Sequence, residues 1–459
     1  MTTITADPAR VLRLADELPD LDWITDASRV ARLSQDFSWF SPVLKRELAG
    51  KTADIAVRPR TEEEMRRLVA GCARARIPMT LRGSGTGNYG QSVPVQGGVL
   101  IDMSGYNAFG WVRDGVGRAQ AGIRLADFDK LSRPHGWELR CIPSTFRTAT
   151  LGGLFGGGFG GVGSITYGPV GVPGNVLGIK VMTVEPDPRV LELRGADALL
   201  LHHTYGTNGI VLELEMALAP ALPWVEAIAV FDTFDAALLF CDRLTLMSGL
   251  AKREVGFFSA TVTAYLTGLA DYLPAGRPAA MLSVDEAAEP AMKDLLAAHG
   301  GRVTYRRTAA EVQATNRTIL EYTWNHTTLH ALKVDKTLTY IQSAFDPARK
   351  IEQVQALERA LGDEVLMHLE FLRNREGLFS CIGLQLVRYT TDARLEEVMR
   401  IYREHGVTIN NPHVWRVEDG KAGGLAPGII ETKRRYDPLG LLNPGKLRSW
   451  HAIETAALA

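Results

Sequence analysis

The sequence predicts an α+β chain of two units with a closing segment: a glycine-loop unit over residues 1–222, an antiparallel-sheet unit over 223–415, and a stretch, 416–459, that returns to the first. Three observations lead there. The chain has 459 residues, long for one domain. Before about Leu222, strand-like apolar runs alternate with glycine-rich loops, and from Trp224 the texture changes to repeated strand and helix patterns. The apolar share of 46% and charged share of 22% are ordinary for a soluble globular protein.

The elements follow in order. Residues 1 to about 55 read as a helical lead-in without chemistry, and the aromatic Asp36–Phe40 run is expected to lie on the body. Thr61 with Glu64 forms a capping box, and Met65, Leu68, Val69 and Cys72 recur at helical spacing behind it. Met79 to Arg82 is a strand, feeding RGSGTGNYGQ (82–91). Such a glycine and hydroxyl loop suits a pyrophosphate, although it has neither the GK[ST] of a P-loop nor a helix-opening GxGxxG. Gly98 to Met103 and Gly117 to Gly122 read as strands, and Arg124 to Arg133 as a helix closed by Pro134 and Gly136.

Next comes the densest glycine stretch, Leu151 to Gly168. Eight of the twelve residues from Gly152 to Gly163 are glycine. Each loses more backbone entropy on folding than another residue would, so main chain here must approach something closely or take positive φ. A flexible linker is the plain alternative. Leu151, Leu154, Phe155, Phe159, Val162 and Ile165 speak against it, because a linker would be polar. Asn175 to Val184 and Val190 to Leu193 then form a hairpin, and Ile210 to Leu218 is a further strand.

In the second unit, Val225 to Phe231, Val255 to Ser259, Ala279 to Val284 and Gly301 to Tyr305 read as strands, with helices at Thr233 to Met247 and Ala288 to Ala298. A second round follows. Its strands are Thr339 to Phe345, Val365 to Leu372 and Phe379 to Val387, and its helices Pro347 to Leu361 and Asp392 to His405. Helices on one side of repeated strands predict an antiparallel sheet of the ferredoxin-like kind.

Composition excludes several classes. A net charge of −1 without a basic block argues against nucleic acid as a partner. No apolar run approaches the roughly 18 residues of a bilayer span. The N-terminus lacks a signal-peptide layout. Four scattered cysteines, Cys72, Cys141, Cys241 and Cys381, have no CxxC spacing, which fits a reducing, cytoplasmic location.

Four motifs combine in order: RGSGTGNYGQ (82–91), PSTFRTATLGGLFGGGFGGVGSITYG (143–168) with NVLGIKV (175–181), GTNGIVLELEMAL (206–218) and DPLGLLNPGK (437–446). On these the chain resembles the FAD-linked oxidase family of the vanillyl-alcohol oxidase type. That family carries a PCMH-type FAD-binding domain and contains glycolate oxidase D-subunits, D-lactate dehydrogenases and berberine-bridge enzymes. The resemblance implies a two-part FAD-binding domain plus a cap holding the substrate. It places the pyrophosphate at Gly83, Ser84, Gly85, Thr86, Gly87 and Asn88. It brings Pro143, Ser144, Thr150, Gly152, Gly153, Gly156, Gly158, Gly160 and Gly161 along the flavin and its chain. Gly209 and Ile210 fall near the adenine and ribityl portion, and Asn443, with Lys446, near the ring system. Many relatives tether FAD through a histidine where this chain has Thr86, or through a cysteine just before the second glycine pair, where it has none. Non-covalent FAD is therefore expected.

Flavin-linked oxidation of an alcohol also needs a base for the hydroxyl proton. The candidates are His326 and His330, four apart on one helix face beside Tyr322, and His413 on the Asn410–Trp415 turn at the return to the first unit. His368 and Glu370 read as a solvated strand face. The expected activity is oxidation of an alcohol or 2-hydroxy acid by hydride transfer to flavin N5, with electrons passing to oxygen or a carrier. The substrate would be a small molecule, and a homodimer is the assembly carried alongside. Two alternatives stay open: metal-assisted oxidation at His326, His330 and His413, and a non-oxidative flavin-dependent transferase of the same fold.

Overall fold

The computed structural model describes residues 7–420 and 424–450, so parts of the expected first and last segments lie outside the described residues. Four sheets organise the described residues. In the first, β1 (Trp23–Ile24), β2 (Ile55–Val57), β3 (Met79–Arg82) and β4 (Val99–Asp102) run in the order β1-β2-β4-β3. β4 is parallel to both β2 and β3. The helix Glu62–Ala75 makes the crossover; the Thr61 hydroxyl accepts from Glu64 N–H, and its apolar side buries Met65, Leu68, Val69 and Cys72. Glu64 closes the cap one residue earlier than a capping box requires, accepting from Arg60 N–H at 2.6 Å.

The second sheet contains β5 (Phe109–Arg113), β6 (Val116–Gln120), β7 (Trp137–Leu139), β8 (Val176–Met182), β9 (Val190–Arg194) and β10 (Ile210–Pro220). Its order is β5-β6-β10-β8-β9, with β7 paired to the far end of β10. These two sheets share one hydrophobic core, which takes in Leu151, Leu154 and Phe155 of the glycine stretch and Leu441 and Leu442 of the closing segment.

The second unit holds an eight-stranded antiparallel sheet. Its strands are β11 (Trp224–Val230), β12 (Lys252–Phe258), β13 (Ala279–Asp285), β14 (Arg302–Arg307), β16 (Gln342–Ala344), β18 (His368–Arg373), β19 (Phe379–Gly383) and β21 (Thr408–Asn410), in the order β14-β11-β13-β12-β18-β19-β16-β21. Each half reads as strand, helix, two strands, helix, strand with the first strand inside, which is the ferredoxin-like arrangement. The halves join edge to edge where Gly256, Phe257 and Phe258 pair with Glu370, Leu369 and His368. The helices Phe234–Leu246, Glu289–Ala298, Lys350–Leu361 and Asp392–Glu404 pack into one core on one face of this sheet. On the other face, β15 (Leu338–Tyr340), β17 (Val365–Leu366) and β20 (Leu386–Arg388) form a small sheet beside the helix Asn325–Val334.

Two expectations change. The glycine stretch is not all loop: Leu151–Gly157 and Ser164–Tyr167 are helical. Glycine is a poor helix former. The first of these helices persists because Thr150 caps it, accepting from Gly153 N–H, while Leu151, Leu154 and Phe155 are buried. Second, His368 and Glu370 are not solvated; both are fully buried. β18 has sheet on both sides and a packed layer on each face, so its alternating pattern does not mark a wet face.

Candidate cofactor cradle and active site

The loop after β3 turns through Gly85 and Gly90, at φ +66° and +72°. Among the described residues, its backbone N–H groups from Ser84 to Asn88 donate to no protein acceptor. Five consecutive unspent donors beside glycine turns form a concave site for an anion. The loop is held from behind. The Thr150 hydroxyl fills the space a side chain at Gly83 would take, the Arg82 guanidinium that at Gly85, and the Gln91 amide that at Gly87. Arg82 donates to the carbonyls of Gln35 (2.5 Å) and Ser84 (3.2 Å), which puts a cation against the loop. By contrast, the first N–H groups of the helix Leu151–Gly157 are spent on Ile123, Ala121 and Thr150, so anion-binding capacity lies in the loop.

Hydrogen bonds draw the four motifs together. Gln91 Nε2 donates to Gly157 O at 3.0 Å, and Ser84 Oγ to Thr148 O. Tyr205 N–H donates to Gly156 O at 2.9 Å. The closing segment locks all of this: Asn443 Nδ2 donates to Gln91 O (2.7 Å) and Tyr205 O (2.8 Å), and Lys446 Nζ to Gly90 O (2.5 Å). Leu442 is brought alongside Met79 of β3 by Met79 N–H to Leu441 O and Asn443 N–H to Met79 O. A cavity of about 610 Å3 opens between the two sheets, lined by Arg82, Gly83, Ser84, Ile123, Arg124 and Thr150 among others. That volume is in the range of small-ligand sites.

The predicted glycines separate into kinds. Gly152 and Gly161 let one strand of chain cross another, since a side chain would strike Ala121 or the Ile142 carbonyl. Gly209, at φ +104°, sits against Val181 and Tyr436, just before the buried Ile210. Gly158 lies on the Leu154 carbonyl, and Gly160 against the Trp324 ring and Ser164. Gly156 has nothing within 4 Å and Gly153 meets only Thr150, so these two present bare backbone to open space. Pro143 and Ser144 open the preceding loop, with Ser144 buried. The Asn443 amide oxygen and Asp36 Oδ2 are buried without a hydrogen-bond partner among the described residues. Unspent donors in the loop and unspent acceptors beside it fit a diphosphate and a polar ring system.

In the second unit, Tyr322, His326 and His330 come together. The Tyr322 and His330 rings stack with centroids 4.1 Å apart. His326 Nδ1 and His330 Nε2 each lie 3.1 Å from Glu321 O. A carbonyl only accepts, so each ring donates there and keeps its other nitrogen as a base. Burial holds both rings neutral, pushing His326 down and His330 down to about 4, and pushes the Tyr322 phenol up. Arg147 ties this cluster to the cradle. From the loop after Pro143 it donates to the Glu321 carboxylate (2.6 Å), Asn316 Oδ1 (2.6 Å) and Asn316 O (3.0 Å).

His413 has other neighbours. Its Nδ1 meets Ser41 Oγ at 2.8 Å, and its ring lies beside Tyr340, whose hydroxyl accepts from Asn88 Nδ2 at 2.8 Å. Among the described residues no three His, Cys, Asp or Glu side chains form a metal-holding group, so His326, His330 and His413 do not make the trio that a metal-assisted reading needs.

Two contributions escaped the sequence reading. The lead-in is part of the cradle: Phe37 N–H donates to Gly87 O at 2.7 Å, which seats Asp36 beside the loop. The second is a buried acid cluster of Glu254, Glu370 and His368 behind the glycine stretch.

Comparison with known proteins adds to this geometry. Residues 53–194 match an FAD binding domain. An uncharacterized FAD-linked oxidoreductase of Mycobacterium tuberculosis is 29% identical over 223 residues, 46% of this chain and 47% of that protein. The glycolate oxidase subunit GlcD of Escherichia coli K12 is 29% identical over 196 residues, 40% of this chain and 38% of that one. A D-lactate dehydrogenase of Archaeoglobus fulgidus is 26% identical over 195 residues, 40% and 43% of the two chains. The matches thus span less than half of those relatives. Over the whole chain, the fold resembles that of an alkyldihydroxyacetonephosphate synthase, with a TM-score of 0.71 at 17% identity, covering 97% of this chain and 86% of that one. No helix of the described residues is long and apolar enough to cross a membrane.

Proposed function

From an FAD-binding domain over residues 53–194, we propose that this chain is an FAD-dependent oxidoreductase that oxidises a small alcohol or 2-hydroxy acid, with residues 223–415 forming the substrate-bearing cap. The observation that carries the reading is the run of unspent N–H groups from Ser84 to Asn88, closed over by Thr150, Gln91, Asn443 and Lys446. These donors hold a diphosphate without a lysine, and Arg82 behind them offsets its charge. When bound, FAD supplies the acceptor for the hydride of the substrate carbon.

The chain's own part is proton handling and alignment. The free nitrogen of His326 or His330 takes the hydroxyl proton, because both rings are neutral and each keeps one acceptor. Arg147 fixes their distance from the cradle through Glu321. The names of the glycolate oxidase and D-lactate dehydrogenase relatives favour a 2-hydroxy acid. FAD is held without a covalent bond, since Thr86 stands where a tethering histidine would be and all four cysteines are buried.

The test has two steps. Acid precipitation of the purified yellow protein releases FAD into the supernatant; flavin retained in the pellet refutes non-covalent binding. Anaerobic addition of glycolate, D-lactate or a primary alcohol then bleaches the flavin, and admission of air shows whether oxygen accepts the electrons. FAD bound but bleached by no alcohol or hydroxy acid would turn the assignment to a non-oxidative transferase, the reading that shares its fold with the synthase.

A further inference from the structure

Glu254, Gly256 and Phe258 of β12 share a sheet face with His368 and Glu370 of β18, because Gly256 pairs with Glu370 and Phe258 with His368. Gly256 lacks the side chain that would stand between the two acids; a Cβ there would come within 3.0 Å of Glu370 Oε2. The carboxyls of Glu254 and Glu370 consequently face each other within hydrogen-bonding reach, in a site closed to water. Two buried carboxylates cannot both stay ionised at such range, so a proton lies between them.

The same cluster grips Trp324. Glu370 Oε1 accepts the Trp324 backbone N–H at 2.6 Å, and Glu254 Oε2 accepts its indole N–H at 3.2 Å. Trp324 sits at φ +52°, ψ −141°, a conformation that strains a non-glycine residue and persists only when its surroundings impose it. Its ring lies against Gly160. The glycine stretch is tied to the same strand: Gly163 N–H donates to Arg253 O at 2.6 Å and Thr166 Oγ1 to Lys252 O at 2.7 Å. Trp324 also opens the helix that carries His326 and His330.

We propose that Glu254 and Glu370 are positioning residues: a proton-sharing acid pair that locks Trp324 in its left-handed backbone and so fixes where the Tyr322–His330 segment meets the glycine stretch. The catalytic part of this rests on the function proposed above; the structural part does not. His368 completes the network. Its Nε2 meets Glu370 Oε1 at 2.8 Å and its Nδ1 meets Leu384 O at 3.2 Å, so ring and acid together carry the protons those two contacts need. The other groups facing the cluster are the Thr327 hydroxyl, Cys241 from the helix Phe234–Leu246 and Cys141 from before the glycine stretch, and burial keeps both thiols neutral. Burial raises Glu370 to about 7 and Glu254 well above the usual carboxyl range. A buried acid raised in this way favours the folded arrangement at low pH and opposes it as pH climbs towards that value. The first charge falls on Glu370 and is held by the proton on Glu254; the second, when Glu254 ionises at higher pH, drives the pair apart and frees Trp324.

The experiment follows near-UV circular dichroism of the purified protein as pH is raised from neutrality upward, in wild type, E254Q, E370Q and W324F. The expected result is a tryptophan transition above pH 7 in wild type, where the second carboxyl ionises, that is lost in all three variants, with far-UV spectra unchanged. E254Q keeps a donor to Glu370 and so tests the idea even if E370Q does not fold. A transition that survives in E254Q, or in W324F, overturns the proposal. The readout needs no substrate, so it stands apart from failure of the oxidative reading. If both hold, E254Q also removes the same inflection above pH 7 from the rate of flavin reduction while leaving FAD content at the wild-type level.

Discussion

Replacing Asn443 tests whether the closing segment holds the cradle together. Its amide donates to two backbone carbonyls from different motifs, Gln91 O at 2.7 Å and Tyr205 O at 2.8 Å, and its backbone lies at φ +41°. Asn443→Ala removes both donors and leaves two carbonyls without them, at about 1–1.5 kcal/mol each. It also puts alanine in a left-handed position that asparagine tolerates better, for roughly 1 kcal/mol more. The sum is about 3–4 kcal/mol. If about 3 kcal/mol of it is expressed at the cofactor site, FAD binding weakens by about a hundred-fold. Asn443→Gly keeps the backbone and loses the donors, so its loss should be smaller by about the backbone share. Asn443→Asp keeps the shape but faces two carbonyls with an acceptor, and should do no better than alanine. The assay is FAD titration of the apo-protein by flavin fluorescence, with thermal unfolding alongside. An Asn443→Asp protein that binds FAD within about two-fold of wild type, and melts with it, would refute the reasoning.

Two further outcomes follow. Gly161→Ala drives a methyl group into the Ile142 carbonyl, so the glycine stretch must shift; FAD content on purification should fall, whereas Gly156→Ala, with open space around it, should retain FAD and show its effect in flavin spectra or turnover. Acid should draw on the fold through its buried histidines, offset in part by Glu370, which burial raises to about 7 and which favours the folded state as pH falls. His330 and His413 are held down to about 4 by burial, so the unfolded chain takes up their protons first, and the stability present at neutral pH is lost as pH falls from the ordinary histidine range towards 4. Denaturant midpoints at stepped pH should show this slope, of at most about 1.4 kcal/mol per pH unit for each histidine, and His413→Asn should reduce it by one proton; an unchanged slope would mean that His413 is accessible to protons in the folded protein.

The legible parts of this chain are those where backbone geometry leaves a local mark. The loop at 82–91 shows itself through glycines that need positive φ or stand against Thr150, Arg82 and Gln91. The ferredoxin-like halves show through the order of strand and helix patterns. What stayed hidden depends on pairing across long separations. Glu254 and Glu370 meet only because β12 lies beside β18 with glycine at 256, and HLEFLR alone looks like any half-wet strand. Asp36 reaches the cradle through the bonds on either side of it, Phe37 N–H to Gly87 O and Arg82 to Gln35 O. Helix Leu151–Gly157 defies its own composition, because burial of three apolar side chains and one threonine cap outweigh the weak propensity of four glycines. Tyr322, His326 and His330 were readable as neighbours by helical spacing, but their shared carbonyl at Glu321 and the Arg147 tether were not.

The late bridge between Leu442 and Met79 has a consequence for biogenesis. Domains tend to fold as they leave the ribosome, N-terminal first. Here the first unit cannot finish on that schedule, because Asn443 and Lys446 cap a loop made some 350 residues earlier, a separation of 352 from Asn443 to Gln91. Throughout synthesis of the intervening sheets, the β3 edge and the core around it await Leu441 and Leu442. A nascent chain stopped anywhere before residue 441 would present an open cradle and exposed apolar surface, fit for a chaperone or a protease rather than for cofactor. Loading is thereby placed after translation of the closing segment, and retained flavin becomes a mark of a chain that has folded through to that point.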